Sequence, residues 1–165
     1  NTTDKKERAY LLNHYLDSFK GTVYRQTQFA EYEMLTNKMY EDGESLTADN
    51  LSSVYLELNK KYYGKSVVSN EEISYEWARI PHFYRAFYVY QYATGISAAV
   101  AIANRIRKLG QPAIEDYKNF LRAGSSDHPI ELLKLAGVDM ASPQPILDII
   151  EDFDQTLKQL EELLG

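Results

Sequence analysis

Apolar and aromatic residues return every three to four positions along nearly the whole chain, a periodicity that admits helices and little else. Tyr10, Leu11, Tyr15, Leu16 and Phe19 share one helical stripe, opened by Asp4 and Glu7 in the form of an N-terminal capping box. That helix ends or bends near Gly21. The pattern resumes with Val23, Tyr24, Phe29, Tyr32, Leu35 and Met39 up to the turn at Glu41-Asp42-Gly43, so the two stretches read as one long kinked helix. Thr47 caps a further block carrying Leu51, Val54, Tyr55, Leu58 and Tyr62, which closes at Gly64 with lysines in its last turns. Lys65 to Pro81 reads as a structured loop or short helix, because proline disfavours helix in the residue before it.

From His82 to Leu109 there is no proline and one internal glycine, Gly95, which predicts a long helix, buried all round between Ile96 and Ala103. Gly110, Gln111 and Pro112 precede a short helix ended by Gly124. Ile130 to Ala136 makes two turns stopped by Gly137, and Ser142-Pro143 opens a final amphipathic helix whose leucines and isoleucines face inward. No strand of four or more alternating residues competes. The expected class is all-α, with residues 1–165 as a single irregular multi-helix domain.

Composition narrows the chemistry. Zero cysteines exclude disulfides, thiolate metal sites and a cysteine nucleophile, and fit a reducing compartment, so a cytoplasmic location is expected. Eighteen basic residues against 24 acidic ones give a net charge of −6, the wrong sign for general nucleic-acid binding. No apolar run reaches the length of a membrane span, so no membrane partner is expected. The start, Asn1 through Arg8, is polar, lacks an initiator methionine and opens directly into a helical pattern, which reads as a processed chain or a piece of something longer.

Familiar catalytic signatures are missing from these residues. There is no Glu-x-x-His, no His-Glu-x-x-His, no Gly-x-Ser-x-Gly elbow and no phosphate-binding glycine loop, so no metal ligands are assigned within this chain. His128, three before Glu131 and next to a proline, reads as helix capping; His14 reads as surface or packing. What stands out is the stretch from Arg79 to Gly95, where His82 and four tyrosines fall within eleven residues. On a helix, Tyr84, Tyr88 and Tyr92 would stand at i, i+4 and i+8 on one drifting face, with Tyr90 on another. Such a stripe has two readings. Tyrosines pack well while their phenol tips reach water or a buried partner. A phenol is also a neutral donor that can steady an oxyanion without losing its own proton, and a histidine beside it can hold a carbonyl.

Ile80-Pro-His-Phe-Tyr84 followed by Phe87-Tyr-Val-Tyr-Gln-Tyr-Ala-Thr-Gly95 resembles the C-terminal part of the oligoendopeptidase F family, within the thimet-oligopeptidase-like zinc peptidases. Thr22-Val-Tyr-Arg-Gln-Thr-Gln-Phe-Ala-Glu-Tyr-Glu33, Tyr62-Tyr-Gly64 and the stretch from Gly124 to Met140 resemble it in the same order, so the likeness spans most of the chain. The resemblance implies an all-helical, zincin-like oligopeptidase fold with a channel that admits short peptides. In that family zinc is held by a His-Glu-x-x-His motif and a further glutamate, which would all lie before Asn1. This piece is then inactive alone and needs the preceding part of its parent chain.

Carried over by motif, His82 donates to the substrate carbonyl or backbone and Tyr92 to the developing oxyanion, with Tyr88 second in that role. Tyr84 stands with Tyr88 as a second choice for shaping or donating in the cleft, and Tyr90 reads as packing. Arg79 and Arg85, flanking the histidine, are candidates to attract a peptide carboxylate, while Arg105, Arg107 and Lys108 offset the dipole of the helix they end. Gly95 reads either as a point of close approach or as ordinary packing. The alternative from another class is a non-catalytic helical interaction module whose aromatic face binds a partner. Under either reading the isolated piece exposes apolar surface and is expected to self-associate.

Overall fold

The computed structural model describes residues 2–85 and 87–165. Regular structure among them is helical throughout, which bears out the all-α reading. Asp4 caps α1 (Lys5–Phe19), its carboxylate accepting the Glu7 N–H at 2.8 Å. The chain widens into a π-helical turn at Lys20–Tyr24 around Gly21 and continues as α2 (Arg25–Glu41). A turn of this kind is a recognised cause of bending in a continuous helix. Thr47 caps α3 (Ala48–Tyr63) by accepting the Asn50 N–H at 3.2 Å, and Gly64 ends it with φ at 67°. A side chain would be strained in that conformation, so this glycine acts as a helix stop.

The long helix expected from His82 to Leu109 is broken at its start. Two 3-10 helices, Glu72–Arg79 and Pro81–Tyr84, come first, and α4 spans only Tyr90–Leu109. Burial supplies the reason: Ile80 and Val89 belong to one buried cluster, and Phe83 packs against it. An α-helix turns about 100° per residue, so positions 83 and 89 would diverge by about 120° on an unbroken one and could not both face that core. Tyr84 and Tyr88 therefore do not share a helical face with Tyr92, contrary to the periodicity argument. Nor is α4 buried all round in its middle. Ser97, Ala98, Ala101 and Ile102 are buried, but Gly95 and Ala99, one turn apart, are exposed. Apolar composition permits burial, and only a covering element produces it.

The described chain divides into two compact units. One holds the residues up to Val23 and again from Thr94 to Gly165. It contains α5 (Gln111–Ala123), α6 (Pro129–Leu135) and α7 (Gln144–Leu164). There α7 lies along α1, with the Phe19 and Phe153 rings 4.4 Å apart and the Tyr15 hydroxyl donating to Asp152. Ile149 and Leu160 of α7 are buried as the amphipathic pattern requires, whereas Leu147, Ile150 and Leu164 stay exposed. A second cluster joins Ala98, Ala101 and Ile102 to Ala136 and Val138. Between Ala136 and Val138, Gly137 has φ at 74°, and the Arg105 guanidinium occupies the place where its Cβ would stand.

The other unit, Tyr24–Ala93, is built on aromatic packing. Phe29, Tyr32, Tyr55, Leu58, Ile80 and Val89 form its core. Phe29 meets Phe83 edge to face at 5.3 Å, and Tyr32 meets Tyr55 in the same way at 5.3 Å, a geometry favoured by the ring quadrupoles. Several of the 14 tyrosines are thus structural. No helix among the described residues is long and apolar enough to cross a membrane.

Candidate functional site

The three residues expected to touch the reacting groups come together within the aromatic unit. His82 lies in the 3-10 helix Pro81–Tyr84, Tyr88 in the segment after it, and Tyr92 in the first turn of α4. The imidazole stacks on the Tyr88 ring at 5.5 Å with 13° between planes. Tyr92 stands edge-on to both, 5.9 Å from His82 and 5.5 Å from Tyr88. Its hydroxyl is 3.4 Å from His82 Nε2, with the direction of donation set by the imidazole tautomer. Tyr92 and Tyr88 remain 38% and 45% exposed, so a ligand can reach their hydroxyls. Hydrogen bonding to Tyr88 raises the Tyr92 pKa above its ordinary value, with a smaller contribution from lost solvation. The phenol is therefore a neutral donor across the neutral range. An imidazole and a phenol facing the same space are equipped to bind one oxygen that gains negative charge.

The segment carrying Tyr88 is pinned on both sides of that residue. Val89 is fully buried in the core. Phe87 has φ at 54°, the left-handed region, which costs a residue with a Cβ about 1 to 2 kcal/mol. Its N–H donates to the Glu33 carboxylate from α2, which compensates part of that cost. The first turn of α4 begins with N–H groups of Gln91 and Tyr92 donating to the Tyr88 and Val89 carbonyls, both at 3.2 Å.

The remaining expected residues lie elsewhere in the unit. Tyr84 turns away from the cluster and donates to the Ala78 carbonyl at 3.0 Å. It borders a groove that Tyr32, Trp77 and Phe83 also line. Arg79 forms an ion pair with Glu76, and Arg85 is exposed at the end of the 3-10 helix. Tyr90 opens α4 and is exposed. His128 occupies the N-cap position of α6, but its side chain makes no capping bond, contrary to the capping expectation; Pro129 at N1 needs no such partner for its nitrogen. His14 stacks on Tyr10.

Periodicity alone did not reveal the ionic knot beneath Arg79. Glu76, 9% exposed, accepts from the buried Tyr55 hydroxyl at 2.5 Å, from Arg25 at 2.5 Å and from Arg79. Burial alone would raise its pKa, but hydrogen bonds from Tyr55 and Arg25 and the charges of Arg25 and Arg79 outweigh that and hold it below the usual carboxylate range. Burial, reinforced by the Glu76 carboxylate, pushes the Tyr55 phenol well up. Arg25 and Glu33 both belong to the stretch Thr22–Glu33 that resembles the peptidase family, which was the one available sign of their importance.

Among the described residues no three histidine, aspartate or glutamate side chains gather where they could hold a metal ion. The rings packed against His82 are the phenols of Tyr88 and Tyr92.

The chain is similar to known proteins along almost its full length. The model for peptidase family M3 matches residues 1–152. Oligopeptidase PepF of Bacillus subtilis is 54% identical over 164 residues, covering 99% of this chain and 24% of that protein. The chromosomal oligoendopeptidase F of Lactococcus lactis is 48% identical over 163 residues, covering 99% and 27%. The crystal structure of oligoendopeptidase-F from Enterococcus faecium superposes with a TM-score of 0.96 at 51% identity, covering 99% of this chain and 32% of that one. The chain thus spans about a quarter to a third of the length of these relatives. It belongs to peptidase family M3 and matches part of that family's oligoendopeptidase F members.

Proposed function

We propose that this chain is the C-terminal part of a cytoplasmic zinc oligoendopeptidase that hydrolyses short peptides, and that it supplies substrate and transition-state contacts. The observation that carries the reading is the convergence of His82, Tyr88 and Tyr92 in one accessible cluster despite the break in helix between them. His82 donates to the substrate carbonyl or backbone. Tyr92 donates to the scissile carbonyl oxygen as negative charge builds on it, with Tyr88 edge-on beside it to hold its ring in place. The metal and the attacking water belong to residues outside this chain, so the chain alone is inactive. The cysteine-free composition supports the cytoplasmic location. Exposed Leu147 and Ile150, three residues apart on α7, support self-association of the chain when it is isolated.

The test joins this chain to the preceding part of its reading frame and follows cleavage of a short internally quenched peptide. Turnover that chelation abolishes and zinc restores is the expected result, with none from the chain alone. A longer polypeptide that binds the peptide without cleaving it would establish the non-catalytic interaction module instead.

A further inference from the structure

Glu33 is a charged side chain that the proposed reaction leaves unused, yet it reaches the segment on which the cluster is built. It sits on α2, 6% exposed, one residue from Tyr32 of the aromatic core. Its backbone carbonyl accepts from the side chains of Thr36 at 3.2 Å and Asn37 at 2.7 Å, so its own turn is well tied. From that fixed base its carboxylate accepts the N–H of Phe87.

Phe87 is the one residue other than glycine with positive φ among the described residues. A bulky side chain holds such a conformation only where the surroundings impose it. Tyr88 follows at once, so the dihedral at Phe87 decides where the Tyr88 ring starts, and that ring meets both His82 and Tyr92. A hydrogen bond to a carboxylate is stronger and more directional than one between neutral groups, which suits it to the task. Resting on the function proposed above, we propose that Glu33 is a positioning residue: by holding Phe87 in the left-handed conformation it places Tyr88 against His82 and Tyr92, and acts on catalysis through Tyr92 without touching substrate.

The test uses the zinc-loaded full-length enzyme. Glu33→Ala is expected to lower kcat by about tenfold or more, because small misplacements near reacting groups are costly, with KM and zinc content little changed. Glu33→Gln keeps an acceptor oxygen and recovers most of that loss. Phe87 is 53% exposed, so Phe87→Val disturbs the same turn without opening the core, and is expected to match Glu33→Ala while Phe87→Gly stays near wild type. In a Tyr92→Phe background the cost of Glu33→Ala shrinks to less than about threefold, the non-additivity of groups that act together. A wild-type kcat for Glu33→Ala, or a tenfold loss undiminished in the Tyr92→Phe background, overturns the proposal. Where Glu33→Ala does not fold, a wild-type kcat for Phe87→Val overturns it instead. A near-normal rate for Tyr92→Phe alone sinks the parent reading, whereas a large loss there beside neutral Glu33 and Phe87 variants sinks this inference only.

Discussion

The Tyr92 hydroxyl stands 3.4 Å from Nε2 of His82, although ten residues and a helix break separate the two along the chain. Tyr88 mediates the approach, face to face with the imidazole and edge to face with Tyr92. Because Tyr88 is the main cause of the raised Tyr92 pKa, Tyr88→Phe should bring that pKa down toward its ordinary 10.0. Carbon-13 NMR of labelled tyrosine through an alkaline titration of the full enzyme measures this directly. An unchanged or higher value for Tyr92 would mean that the two phenols are not paired.

The knot around Glu76 makes stability depend on acid. Its folded-state pKa lies below the ordinary 4.5, so the folded state binds fewer protons than the unfolded state where the two differ. The stabilisation is complete above the unfolded value and lost as pH falls through the lowered folded one. Denaturant unfolding at a series of pH values from 7 down to the acid range should show this decline, and Glu76→Gln should flatten it. Tyr55→Phe, which strips a donor from a buried carboxylate, should cost about 1 to 3 kcal/mol at neutral pH. A Tyr55→Phe protein as stable as wild type would show that the carboxylate is satisfied by the arginines alone.

Gly137→Ala tests the other unit. The left-handed φ of 74° penalises a Cβ, and the new methyl would also meet the Arg105 guanidinium, which pairs with Asp116 at 3.1 Å. The arginine tip can swing aside, so the backbone dominates, and a loss of about 1 to 2 kcal/mol is expected. Thermal unfolding of the variant checks it; a gain in melting temperature would place Gly137 in a different conformation.

Local chemistry made much of this fold legible. Asp4, Thr47 and Gly64 act at helix ends as their side chains, or lack of one, dictate. An interruption near Gly21 was visible too, though its form as a π-helical turn was not. Where the reading failed, at His82 to Leu109, a helix-compatible pattern lost to tertiary burial of Ile80, Phe83 and Val89 in one core. Breaking that helix removed the single tyrosine face, yet contacts across the break reunited two of its members, Tyr88 and Tyr92, with His82. Tyr84 was left to its own bond with Ala78. Glu33 and Glu76 were invisible to periodicity because their partners, Phe87 and Tyr55, are set by three-dimensional packing.

The most direct measurement is turnover by Tyr92→Phe in the full-length enzyme, with zinc determined in the same preparation. Losing an oxyanion donor costs roughly 3 kcal/mol in comparable sites, so kcat should fall by about 100-fold or more at unchanged zinc content. A rate close to that of the unaltered enzyme would contradict the assignment of Tyr92 as the group that steadies the developing charge.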